Sequence, residues 1–111
     1  MKENEEYNFG RQRFDDVMQG WQFDNHDLVQ AALPEQLTHK QVQRARIGRR
    51  LTLAMMQKIT RILNEAVLCR LSEEEAESFR PYFHRDLFSY AKNYDEQWTD
   101  PNAPLYPADE Q

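Results

Sequence analysis

The chain has 111 residues, 40% of them hydrophobic and 30% charged, which suits one domain with a modest core and solvated surroundings. No apolar run reaches the ~20 residues needed to cross a bilayer, and the single cysteine, Cys69, excludes an internal disulfide or a Cys-rich zinc site. The start, MKENEEYNFG, lacks the basic opening and apolar stretch of a secretory signal. These features predict a soluble, cytoplasmic protein without a membrane partner. The formal charge of -5 argues against a nucleic-acid partner only until its distribution is considered. Residues 36–64 hold seven cations (Lys40, Arg44, Arg46, Arg49, Arg50, Lys58 and Arg61) and no Asp or Glu, so this stretch is +7 and the rest is -12. Such asymmetry predicts a basic binding face within an acidic protein, or a solvated helical face paired with flanking carboxylates.

With three glycines and no alternating β-branched pattern, the chain reads as all-α, a bundle of about five helices. Residues 1–8 are polar and read as a loose arm. Phe14, Val17, Met18 and Trp21 recur at i, i+3, i+4 and i+7, the stripe of a first helix. Asp24 or Asn25 caps a second, carrying Leu28, Val29, Ala31, Ala32 and Leu33, which Pro34 stops. Thr38 opens a third helix that Gly48 closes in left-handed conformation. Thr52 caps a fourth, with Leu53, Met56, Ile59, Leu63 and Val67 at helical spacing. Ser72 and Glu75 form a capping box for a fifth segment. Arg80-Pro81 interrupts it before a further apolar set at Phe83, Leu87, Phe88 and Ala91. One helical domain is thus expected over residues 1–94, with a helical extension at 72–94. Residues 95–111, acidic and holding Pro101, Pro104 and Pro107, read as an extended or disordered tail that Trp98, Leu105 and Tyr106 could strap to a surface.

The third helix carries the chemistry. At 100° per residue Val42 and Ala45 share an inner side, while Lys40, Arg44 and Ile47 line the outer side beside Gln43, with His39 at the edge. Arg and Lys donate to guanine O6 and N7, and Gln pairs with adenine, so this face suits base edges. Arg49, Arg50, Lys58 and Arg61 suit phosphates, with Thr38 and Arg46 as further phosphate candidates.

Residues 37–63 (LTHKQVQRARIGRRLTLAMMQKITRIL) resemble the recognition helix and following helix of the phage-repressor-like, Cro and lambda-repressor class of helix-turn-helix proteins. The likeness lies in Leu37, the Thr38 cap, Val42, Ala45, Gly48 with Arg49 and Arg50, and then Ile59 and Leu63. Ala32 matches the small residue where the two helices of the motif cross. The resemblance covers residues 25–64 and implies base contacts at His39, Lys40 and Arg44, with Gln41 and Gln43 beside them. Where the family usually has a glycine in the turn, this chain has Pro34-Glu35-Gln36, which predicts a short first helix. The resemblance implies sequence-specific binding of double-stranded DNA and transcriptional regulation in a bacterial, plasmid or phage setting. It implies no catalysis, cofactor or effector. A protein–protein adaptor whose basic face meets an acidic partner is the alternative.

Phe79, Tyr82, Phe83, Phe88, Tyr90 and Tyr94 either complete the core or build a homodimer, with Phe83, Leu87 and Phe88 as interface candidates. His84-Arg85-Asp86-Leu87 matches a kinase fragment by accident, since no glycine-rich loop accompanies it. Three scattered histidines make no metal site, and Cys69 reads as a buried small hydrophobe.

Overall fold

The caps expected from the sequence set the helix boundaries in the computed structural model, which describes residues 8–107. Helix α1 (Arg13–Gly20) buries Phe14, Val17 and Met18, with Trp21 just past its end. Helix α2 (Asn25–Ala32) begins at a reciprocal box: the Asp24 carboxylate accepts from the Asp27 N–H at 2.9 Å, and Asp27 accepts from the Asp24 N–H at 2.8 Å. Helix α3 (His39–Ile47) starts with the same device, Thr38 Oγ1 and Gln41 Oε1 each accepting a backbone N–H at 3.0 Å. It ends at Gly48, whose φ of 92° is the left-handed value that favours glycine. Helix α4 (Leu53–Arg70) is capped by Thr52, α5 (Glu73–Ser78) by the Ser72–Glu75 box, and α6 (His84–Leu87) is a single turn. Among the described residues there is no β-strand, so the all-α expectation holds. No helix among the described residues is long and apolar enough to cross a membrane.

The long α4 is the spine. Helix α2 packs on both α4 and α3, α1 packs on α3, and α6 closes the far side against α4 and α1. One core joins them, including Phe14, Met18 and Trp21 with Leu28, Val42, Ile59, Ile62, Leu63 and Phe88. Burying side chains of this size stabilises a fold by about 1.5–3 kcal/mol each.

The C-terminal third departs from the expected helical extension. Residues 79–83 run extended, and two side-chain amides hold them there. Asn64 of α4 accepts from the Tyr82 N–H at 2.8 Å and donates to its carbonyl at 3.0 Å. Asn102, fully buried, does the same for Arg80 at 2.9 and 2.8 Å. Backbone groups bonded in this way have no call for a helical partner, so only α6 forms in this region. Leu87 and Phe88 are both fully buried in the chain's own core. They are therefore withdrawn from the expected dimer interface, which leaves Phe83, 52% exposed.

Of the two expectations for the tail, the strap holds and the loose chain does not, since Trp98, Leu105 and Tyr106 pack against the core. Residues 95–107 fold back over the bundle and contain a 3-10 turn at Ala103–Leu105. The Asp100 carboxylate accepts from the Tyr82 hydroxyl at 2.6 Å, the Asn102 N–H at 2.8 Å and the Tyr106 hydroxyl. Trp21 Nε1 donates to the same Tyr82 hydroxyl at 2.9 Å, extending the network into the core. Burial, then the nearby Asp100 charge, pushes both Tyr82 and Tyr106 far up, so both keep their protons. Tyr106 lies over Gly20, where a Cβ would run into its ring. Cys69, expected inside, is exposed. Residues 1–7 of the expected arm and 108–111 of the expected tail lie outside the described residues.

Candidate nucleic-acid interface

Helix α3 separates its two sides cleanly. Val42 and Ala45 are fully buried, whereas His39, Lys40, Gln43, Arg44 and Ile47 face outward and are exposed. Lys40 and Arg44 make no ion pair or side-chain hydrogen bond among the described residues, and both head groups are open to an incoming acceptor. Gln43 is steered from α2, its Oε1 accepting from Asn25 Nδ2 at 3.0 Å, which leaves its own amide N–H groups to donate outward. His39 stacks on His26 of α2, with ring centroids 5.6 Å apart and planes 18° off parallel. Gln41 is committed to the capping box and only half-exposed. Four of the five expected base-contacting side chains thus share one open face, and the fifth serves the helix start.

The expected phosphate-contacting residues divide into two groups. Arg46 turns inward: its Nε donates to Asp15 and its Nη1 donates to Asn25 Oδ1 at 2.7 Å. Its side chain is 18% exposed and that of Asp15 is 11% exposed, so Arg46 is corrected from phosphate contact to internal strut. Burial alone would push the Asp15 carboxyl up, but hydrogen bonds from Arg46 and Arg11 outweigh it and hold the group below the usual carboxylate range. Lys58 donates to the Gln36 carbonyl at 2.6 Å, and Arg61 grips both oxygens of Glu35 at 2.7 and 3.0 Å. These two cations fasten the turn between α2 and α3 to α4. Thr38 spends its hydroxyl oxygen on the Gln41 N–H. The half-exposed Arg49 and the exposed Arg50 follow directly on α3 at its outer end.

The N-terminal segment reinforces this placement. Gln12 donates its backbone N–H to the Arg46 carbonyl at 3.1 Å, and Phe9 donates to the Gly48 carbonyl at 2.8 Å. Asn8 forms an isolated antiparallel bridge with Arg49. The buried Gln12 side chain also bridges Gly10 O at 2.9 Å and the Ser89 N–H at 2.6 Å. Arg13 lies over the rings of Tyr94 and Trp98 and donates to the Asp86 carbonyl at 2.8 Å. Periodicity carries no sign of Gln12, Arg13, Asn64 or Asn102, each of which acts as one polar side chain on a distant backbone, nor of Asp15, whose carboxylate meets the distant Arg46 side chain. Among the described residues no three His, Cys, Asp or Glu side chains converge to hold a metal ion. No family model matches the chain, and neither curated proteins nor solved structures yielded a similar one.

Proposed function

We propose that the chain binds double-stranded DNA sequence-specifically through the outer face of α3 and acts in transcriptional regulation. The observation that carries this reading is the sorting of cations. Arg46, Lys58 and Arg61 are drawn into contacts that orient α3 and its turn, whereas Lys40 and Arg44 project from the exposed face beside Gln43. A short helix anchored on one side, with Lys, Gln and Arg on the other, matches the donor requirements of the major groove. The resemblance of residues 25–64 to the Cro and lambda-repressor class supports the same assignment. Arg49 and Arg50 take the phosphate role at the helix end. A three-turn helix reads few base pairs, so two copies on a near-palindromic site are expected, with Phe83 as the remaining interface candidate of the original three.

The test is duplex binding measured by anisotropy over a range of salt. Arg49 and Arg50 as the phosphate-contacting cations predict a log–log salt slope of about -2 per copy. Arg44→Ala should cost ~1–3 kcal/mol on a selected site and relax preference at one base position, with a smaller loss on random DNA. Absence of binding at ~50 mM salt overturns the reading and leaves the adaptor, in which the same face meets an acidic protein.

A further inference from the structure

The structure has a second basic feature that α3 does not include. Where the start of α4 meets α6 and the segment after it, a groove of about 550 Å³ opens, lined by the apolar Leu53 and Met56, by Tyr90, and by Arg50, His84 and Lys92. Among the described residues no carboxylate lines it, although the chain as a whole carries a charge of -5. The nearby Asp86 is turned to the start of α6, where its carboxylate accepts from the Phe83 N–H at 3.2 Å. The groove adjoins the proposed reading helix, since only Gly48 and Arg49 separate the end of α3 from Arg50. Tyr90 ties the two regions together: its hydroxyl accepts from the Leu51 N–H at 3.0 Å and donates to the Arg49 carbonyl at 3.4 Å.

We propose that the DNA backbone runs from the end of α3 into this groove, so that Lys92 and His84 bind phosphate on behalf of the C-terminal third. The inference rests on the DNA-binding reading above and adds a contact that residues 25–64 cannot supply. The chemistry of the lining fits a sugar–phosphate chain. The cations and an imidazole N–H suit non-bridging oxygens, and Leu53, Met56 and Tyr90 suit deoxyribose C–H edges. An amphipathic acidic peptide is the other occupant such a lining would suit, and the test separates the two.

The experiment compares the full chain with Lys92→Gln, His84→Gln and Arg85→Gln on random and selected duplexes. Arg85 provides the matched loss of charge outside the groove, since its guanidinium lies over the Phe83 ring at 4.8 Å. Lys92 is exposed and bonded to no other described side chain, so its removal leaves the fold intact, as circular dichroism will verify. Loss of one phosphate contact predicts a salt slope smaller in magnitude by about 0.9 and binding about tenfold weaker at ~50 mM salt, equally on every sequence. His84→Gln should weaken binding in the same uniform way, whereas Arg85→Gln should keep the parent slope. If the parent binds DNA and Lys92→Gln behaves like Arg85→Gln, the groove contact is overturned and the α3 reading stands; a groove made for an acidic peptide gives this result. If the parent does not bind DNA, both readings fall.

Discussion

Gly48 offers the sharpest test of how α3 is held. Its φ is 92°, its carbonyl accepts from Phe9, and a Cβ built on it would lie 2.6 Å from the Gly10 carbonyl carbon, with the oxygen closer still. Two costs of Gly48→Ala can be separated. An alanine in left-handed conformation costs roughly 1–2 kcal/mol. The collision is with backbone, so it is relieved only by lifting residues 8–12 away from α3. That breaks the bonds from Phe9 and Gln12, at about 1 kcal/mol each, and disturbs the stack of Phe9 on Tyr90, worth about 0.5–1.5 kcal/mol. The total is about 3.5–5.5 kcal/mol, or a fall in Tm of roughly 14–28 °C for a domain of this size. Gly10 supplies the control, since its φ is 80° but nothing lies within 4 Å of its would-be Cβ. Asparagine tolerates the left-handed region, so Gly10→Asn should be close to neutral while Gly48→Asn still collides. Thermal melts followed by circular dichroism measure both. A Gly48→Asn protein melting within about 3 °C of the parent would refute the contact between the N-terminal segment and α3.

Asp15→Asn should destabilise the protein by ~2 kcal/mol at neutral pH, because it leaves the mostly buried Arg46 with Asn25 alone. Since the folded Asp15 carboxyl is held below its ordinary value, its contribution is complete above that value and is lost as pH falls through the folded one. Urea titrations at about pH 7 and pH 3 should therefore show a smaller acid loss in the variant than in the parent; equal losses would refute the pairing. Phe88 is fully buried and stacks on Phe14 at 5.5 Å, so Phe88→Ser should cost about 3–5 kcal/mol and melt early in a thermal scan. Phe83→Ser should keep the parent's helicity, and sedimentation of that variant shows whether Phe83 joins two copies; lost helicity would refute its surface placement.

The first two-thirds of the fold were legible because helix stripes and caps are local. Asp24, Thr38, Thr52 and Ser72 each accept the expected backbone N–H, and Gly48 takes the left-handed turn where the third helix was expected to stop. The exposed face of α3 was legible for the same reason, since Val42 and Ala45 fix which side lies inward. Reading failed where long-range polar contacts override local preference. Phe83, Leu87, Phe88 and Ala91 have helical spacing, yet the Asn64 and Asn102 amides bind the preceding backbone in extended form. The prolines and acidic residues after Tyr94 suggested a loose tail, but Asp100 anchors that segment through two tyrosines. Composition also concealed the division of labour among the cations. Arg44 and Arg46 stand two residues apart in one helix, and the places of Asp15 and Asn25 in the fold decide that Arg46 turns inward.

That division bears on how an acidic protein can meet a polyanion. A helix that reads base edges has to be held in register, since each good side-chain pair contributes only about 1–3 kcal/mol of discrimination and depends on direction. In this chain the holding contacts are themselves cationic. Arg46 ties the end of α3 to α1 and α2, while Lys58 and Arg61 tie its leading turn to α4. Their charges are balanced or held close to home by Asp15, the Gln36 carbonyl and Glu35, so they add little long-range attraction. Steering then depends on Lys40, Arg44, Arg49 and Arg50. On the DNA-binding reading proposed above, a face with so few outward cations should bind random duplex weakly, and raising salt should weaken it further. Selectivity is favoured by that economy, because non-specific affinity grows with every phosphate neutralised whereas base discrimination does not. On that reading, reversing an internal anchor separates the two roles: Glu35→Gln, which frees Arg61 from its carboxylate, should raise affinity for random duplex in a low-salt anisotropy titration and lower the preference for a selected site, and unchanged values of both would refute the division.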